Sequence, residues 1–206
     1  MSTIVVLAKE PVPGRVKTRL CPPCTPRQAA VLAAAALTDT LAAVDAAACA
    51  RRVLAFDGEA APWLPLGWSA VPQAPGDLGR RLDAAVRGVD GPVLVIGMDT
   101  PQITPALLDD ACEQLRCVDA VLGPAADGGY WAIGFRDRRA GAFDGVAMSS
   151  PETARQQRAR LAELNLRVAE LHPLRDVDTF DDACAVARMI PDSTFGQIVA
   201  STSVAS

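Results

Sequence analysis

Lysine is nearly absent from this chain: two, Lys9 and Lys17, stand among 20 basic residues, and arginine supplies the rest. Aromatics make up only 4%, so a core has to be assembled from Ala, Val, Leu and Ile. Histidine occurs once, at His172, which leaves a cysteine-based zinc site short of ligands. There is no surplus of positive charge; the net charge is -4, which argues against bulk attraction to nucleic acid or to an anionic membrane. No apolar run reaches the length of a membrane-spanning helix. The alanine-rich stretch 29–50 is interrupted by Thr38, Asp39, Thr40 and Asp45 and reads as a helix with small packing residues. The first apolar run is too short for a secretory signal and meets Lys9 and Glu10 at once. A cytoplasmic protein is the default expectation, with neither nucleic acid nor membrane as partner, and as a monomer or homodimer.

What the chain does have is length and apolar content. Its 206 residues, half of them hydrophobic, suit one domain with an ample core. That domain is expected over residues 1–190, followed by a partly disordered tail, 191–206, rich in Ser, Thr and Ala. Six cysteines are present, expected reduced in a cytosolic protein. Cys21-Pro22-Pro23-Cys24 has the spacing of a redox pair, but it ends a long charged loop rather than following a strand directly.

Strand-like and helix-like runs alternate. Candidate strands are 3–8, 52–56, 68–71, 92–97, 119–123, 130–135 and 166–171; candidate helices are 26–48, 79–88, 104–116, 150–164 and 179–190. Thr25-Pro26, Thr104-Pro105 and Ser150-Pro151-Glu152 each offer a capping hydroxyl with proline at the first helical position. Pro92-Val93-Leu94-Val95-Ile96 is continuously apolar, as a strand covered on both faces should be. Such alternation predicts an α/β fold with a mostly parallel sheet.

Five segments carry chemistry-bearing residues. Both lysines fall in Ala8-Lys9-Glu10-Pro11-Val12-Pro13-Gly14-Arg15-Val16-Lys17-Thr18-Arg19-Leu20, directly after the first strand. A loop there with four cations, Lys9, Arg15, Lys17 and Arg19, is a candidate phosphate cradle; its alternative is a solvated basic loop. Gly97-Met98-Asp99-Thr100-Pro101 ends the most apolar strand, where open α/β sheets bind ligands. Asp99 is either a ligand for a hard cation or a cap on the following turn. Asp127-Gly128-Gly129-Tyr130 joins two short strands, as a hairpin turn or as a place where a ligand approaches glycine backbone. Arg175-Asp176-Val177-Asp178-Thr179 precedes the last candidate helix. Either Thr179 caps that helix with acids favouring its dipole, or Asp178 joins Asp99 on one metal ion. In Gln73-Ala74-Pro75-Gly76-Asp77-Leu78-Gly79, the Gln73 amide and the backbone at Gly79 are candidates for reading a nucleotide base.

Taken in order, these segments resemble the nucleotidyltransferase and glycosyltransferase-A superfamily, over roughly residues 3–190. The likeness is greatest to the uncharacterised bacterial glycosyltransferase-A-like family. It rests on Ala8-Lys9 with Pro13-Gly14, Lys17-Thr18-Arg19-Leu20, Asp77-Leu78-Gly79, Gly97 with Asp99 and Pro101, Gly123-Pro124, Asp127-Gly128-Gly129-Tyr130 and Asp176-Val177-Asp178-Thr179. The Lys17 to Leu20 run also looks like that of phospholactate or phosphoenolpyruvate guanylyltransferases. Two departures stand out: no glycine-rich Leu-Ala-Gly-Gly run in the first loop, and Met148-Ser149-Ser150 where many relatives carry tryptophan.

The resemblance implies a three-layer α/β/α sandwich with a mixed, mainly parallel sheet, of nucleotide-diphospho-sugar transferase type. It implies a nucleotide over the first loop, Mg2+ or Mn2+ between Asp99 and Asp178, and an acceptor near Asp127, Gly128, Gly129 and Tyr130. The leading expectation is a Mg-dependent nucleotidyltransferase that joins a nucleoside monophosphate from a triphosphate to a phosphorylated small molecule. Lys9 and Lys17 would act at the phosphates. A glycosyltransferase using a nucleotide-sugar donor is the alternative. A non-catalytic nucleotide-binding protein, using helix 26–48 for partner contact, is the third.

Overall fold

The computed structural model describes residues 2–204. Seven strands form one sheet: β1 (Thr3–Lys9), β2 (Arg51–Asp57), β3 (Ser69–Pro72), β4 (Val93–Gly97), β5 (Ala120–Pro124), β6 (Tyr130–Phe135) and β7 (Val168–Glu170). The order is β3-β2-β1-β4-β6-β5-β7. β6 runs antiparallel to both neighbours, and every other pairing is parallel. Six helices accompany the sheet: α1 (Pro26–Ala46), α2 (Leu78–Arg87), α3 (Pro105–Gln114), α4 (Thr153–Glu163), α5 (Phe180–Met189) and α6 (Thr194–Val204). The expected mixed, mainly parallel α/β architecture is the one observed.

Alternation along the strands sends successive side chains to opposite faces. Ile4, Val6, Leu54, Phe56, Leu94 and Ile96 pack against Ala33, Leu37 and Leu41 of α1, Leu108 of α3 and Leu115 just past its end. Val5, Val53, Val93, Val95, Leu122 and Phe135 pack against Leu82 and Val86 of α2 and Leu161 of α4. This two-sided burial is why β4 reads as an unbroken apolar run.

Two expectations change here. Residues 194–204 form α6, whose Phe195 and Val199 are buried against α1 and α5, so this part of the tail is a docked helix. The two final residues lie outside the described ones. Its amphipathic signal is weak because half of it is Ser, Thr, Ala and Gly. Residues Ala29, Leu32, Ala35 and Ala36 of α1 face α5 and α6, while its opposite side faces the sheet. Both of those sides of α1 are covered, while a third side, with Arg27, Val31, Thr38, Ala42 and Asp45, is exposed. Among the described residues α1 is also the one helix long and apolar enough to cross a membrane. Here its apolar character serves packing on two sides.

Capping follows the sequence at three helices. The Thr25 and Thr179 hydroxyls accept from the amides of Gln28 and Asp182 in reciprocal capping boxes, and Thr104 accepts from Leu107. At α4 the expected Ser150 cap is displaced. The helix begins at Thr153, and Ser150 and Pro151 belong to a preceding turn.

Candidate active site

The carboxyl ends of β1, β4 and β5 and the amino end of the antiparallel β6 open onto one cleft of about 680 Å3. Lys9, Arg15, Lys17, Arg19, Gln73, Asp99, Asp127, Gly129, Tyr130 and Asp178 all border it. Gly79 and Gly128 do not. The segments meet because the chain after β7 lies back across the sheet. Leu174 donates its amide to the Pro124 carbonyl, Gln102 Nε2 donates to the Arg175 carbonyl at 2.7 Å, and the Val177 amide donates to the Asp99 carbonyl at 2.9 Å. Val177 is buried, so in this extended stretch the alternating Asp176 and Asp178 are both turned toward the cleft.

Lys17 sits at the centre. Its backbone is left-handed, φ +48°, at the start of a 3-10 turn over Thr18–Leu20. That conformation is costly for a residue with a Cβ and is characteristic of functional turns. Its ammonium lies 2.6 Å from Asp99 Oδ1 and donates to the Val177 carbonyl. Two residues on, the Arg19 guanidinium pairs with Asp178 at 2.5 Å. The first loop is thereby clamped to both candidate metal aspartates by charge-assisted bonds. Lys9 pairs more loosely with Asp57, at 3.7 Å. Arg15 is exposed and makes no ion pair among the described residues.

Asp176 is the residue that the sequence reading passed over. Burial pushes its carboxyl up to about 7, and the charges of Asp99, Asp127 and Asp178 push the same way, against the pull of Lys17. The signal was available, since Asp176-Val177-Asp178 is one extended step in which alternate residues share a side. Crowded hard oxygens with surplus negative charge suit a hard divalent cation. Among the described residues, no group of three or more Asp, Glu, His or Cys side chains is arranged to enclose an ion alone.

Other expected site residues have structural duties that redefine them. Gln73 Nε2 donates to the carbonyls of Ala8 at 2.6 Å and Ala55 at 3.1 Å, so both amide hydrogens are spent on backbone. Gly79 lies in the first turn of α2 beneath Met148, where a Cβ would come within 3.3 Å of its methyl. Asp127 Oδ1 accepts from the Gly129 amide at 2.8 Å, which closes the hairpin turn. At Gly128, φ is +89° and a Cβ would stand 2.0 Å from the Pro151 carbonyl. What approaches that glycine is the 150–154 segment, whose Ala154 amide donates to the Gly128 carbonyl. Tyr130 is half-buried, donates from its hydroxyl to Gln157 Oε1 at 3.3 Å, and has its phenol pKa raised by burial. Its ring borders the cleft while its hydroxyl faces α4.

The cysteines lie apart from these groups. Cys24 is buried beneath α1, and burial raises its thiol pKa, the reverse of what activates a redox cysteine.

Comparison with solved structures supports the architecture. A protein described as a putative nucleotide-diphospho-sugar transferase from Desulfovibrio desulfuricans G20 superposes with TM-score 0.90 at 27% identity, covering 98% of this chain and 95% of that one. Rv0371c from Mycobacterium tuberculosis H37Rv, solved in complex with manganese, aligns with TM-score 0.54 at 24% identity over 90% of this chain and 97% of that one. A CMP:2-keto-3-deoxy-manno-octonic acid synthetase complexed with CTP aligns with TM-score 0.61 at 14% identity, covering 93% and 99%. No curated protein matches the chain in sequence. Its fold is that of the nucleotidyl and nucleotide-sugar transferases. Residues 40–150 match the family described as uncharacterized proteins conserved in bacteria (DUF2064), and the chain belongs to that family.

Proposed function

We propose that this protein is a divalent-metal-dependent nucleotidyltransferase that transfers a nucleoside monophosphate from a triphosphate to a phosphorylated small molecule. The observation that carries this reading is the juxtaposition of four loop cations with Asp99, Asp176 and Asp178 in one cleft. A triphosphate brings more negative charge than a nucleotide-sugar diphosphate, and the loop from Lys9 to Arg19 supplies matching positive charge. Folds of this kind are found holding CTP and manganese in other proteins, which is consistent with both ligands here.

Asp99 and Asp178, with Asp176 beside them, would hold Mg2+ or Mn2+, which when bound neutralises charge on phosphoryl oxygens. Arg15 and Lys9, not engaged in close ion pairs, reach toward the phosphates. Lys17 orients Asp99 and places a point charge beside the reacting phosphate. An acceptor phosphate oxygen forms the new bond to the α-phosphorus as the α–β bridging bond breaks and pyrophosphate leaves. Charge spreads over phosphoryl oxygens in such a reaction, so fixed cations give most of the acceleration. The acceptor lies on the Asp127, Gly129 and Tyr130 side, where Ser149 and Ser150 also border the cleft.

Pyrophosphate release from a triphosphate panel with Mg2+ tests the reading. Lys17→Ala should lower that rate at least ~100-fold, the size expected for loss of one preorganised donor. Near-normal release in the variant removes Lys17 from the mechanism. A second reading, sugar transfer from a nucleotide-sugar, is favoured by the Desulfovibrio desulfuricans structure at 27% identity. Turnover of a nucleotide-sugar without pyrophosphate would establish it instead.

A further inference from the structure

Two cations of the first loop stand on the carboxylates that the function proposed above, on which this inference rests, gives to a divalent ion. They are held differently. Lys17 is anchored: its side chain is only 11% exposed, and its ammonium meets both Asp99 Oδ1, at 2.6 Å, and the Val177 carbonyl. Arg19 is held at one point. Its side chain is 74% exposed, and its Nη1 donates to Asp178 Oδ2 at 2.5 Å. Asp127 adds a weaker attraction, and the side chain makes no other hydrogen bond or ion pair among the described residues.

The balance of charge connects these contacts. A divalent ion on Asp99 and Asp178 would sit beside the Arg19 guanidinium, and two positive charges at that range repel. Polyphosphate alone would draw Arg19 off Asp178. The carboxylates of Asp99, Asp127, Asp176 and Asp178, which already act on one another electrostatically, would then face each other with one cation fewer. When metal and polyphosphate arrive together, neither cost arises. The ion takes the carboxylates, and the guanidinium takes phosphate oxygens, whose geometry suits its fork.

We propose that Arg19 is an exchanging counterion. It occupies Asp178 until a metal-bound polyphosphate arrives, then passes to the phosphates, while Lys17 stays on Asp99. Metal and polyphosphate thereby load as one unit, and metal alone is held off. Coupling of this kind is reciprocal, each ligand strengthening the other by the same factor.

The test is calorimetric binding to the full chain, at physiological salt, of two probes: Mn2+ alone, and the Mg2+ complex of inorganic tripolyphosphate. Wild type, Arg19→Gln and Arg15→Gln are compared. Arg15 borders the same cleft, is exposed and makes no ion pair among the described residues, so its variant removes an equal charge without removing a clamp. Arg19→Gln should bind Mn2+ alone roughly 5-fold more tightly, the upper end of what an exposed pair supplies. It should bind the Mg2+ complex of tripolyphosphate roughly 10-fold less tightly, as loss of one charged hydrogen bond gives. Arg15→Gln should weaken the complex, with affinity for Mn2+ alone changed less than ~2-fold because salt screens an exposed, unpaired charge. The same direction of change for both probes in Arg19→Gln, no change with either one, or an equal gain for Mn2+ in Arg15→Gln overturns the exchange while the metal and nucleotide reading stands. Binding of neither probe by any of the three proteins overturns the exchange together with the proposed function.

Discussion

Replacing Asp176 with Asn asks whether the cleft holds electrostatic strain that a cation relieves. Burial, followed by the charges of Asp99, Asp127 and Asp178, raises this carboxyl from 3.8 to about 7, with Lys17 opposing. A carboxyl with a folded value above its unfolded one binds more protons when folded. It therefore costs nothing below the unfolded value, and its cost grows as pH rises, becoming complete above the folded value. The window is the span between those two figures. A shift of about three units, at roughly 1.36 kcal/mol each, sets a ceiling near 4 kcal/mol. Water in the open cleft screens the charges, so a working value is about 1–2 kcal/mol. For a domain of this size each kcal/mol moves the melting temperature about 2–4 °C. Asp176→Asn should then melt roughly 2–8 °C above wild type near pH 8.5, with no gain near pH 4. Thermal unfolding by circular dichroism at both pH values, without divalent ions, measures it. Added Mg2+ near pH 8.5 should stabilise wild type more than the variant. The same shift at both pH values, or a variant less stable near pH 8.5, refutes the reasoning.

Three further substitutions test how the site is built. Gly128→Ala places a Cβ against the Pro151 carbonyl at a positive φ and should cost at least ~1–3 kcal/mol; a urea midpoint equal to wild type would contradict it. Phe195→Ala empties a buried position between α6 and α1 and should cost about 3–5 kcal/mol; a much smaller loss would mean α6 is not docked there. Thr179→Ala removes the capping box of α5 and should cost about 1 kcal/mol in urea unfolding, with no effect expected if the cap is solvated in the native state.

Much of the fold was readable from local pattern. The strand at Val93–Ile96 is apolar on both faces because helices cover both, and that leaves a continuous run in the sequence. Thr25, Thr104 and Thr179 announce their helices because capping is local chemistry within one turn. Ser150 misled for the opposite reason. Its neighbour Thr153 makes the tertiary and local bonds there, to the carbonyls of Ala147 and Ser150, and the helix starts later. α6 was missed because its burial comes from Phe195 and Val199 meeting a distant helix, not from a strong stripe of its own.

At the site, residue types and strand ends pointed to the first loop, Asp99 and Asp178, and in the structure these border one cleft, since parallel strands deliver their carboxyl ends to one side. The sequence by itself thus determined most of the charges the cleft holds, Asp176 excepted, and the edge of the sheet on which it opens. Tertiary structure decided which of those charges are paired and which are left for a ligand. Lys17 is committed to Asp99, Gln73 to two carbonyls, and Gly128 to Pro151, whereas Asp176 is crowded and Arg15 makes no ion pair among the described residues. Hydrogen bonds and charge pairs between segments far apart in the chain depend on distances of a few ångströms that only the packed sheet and helices set.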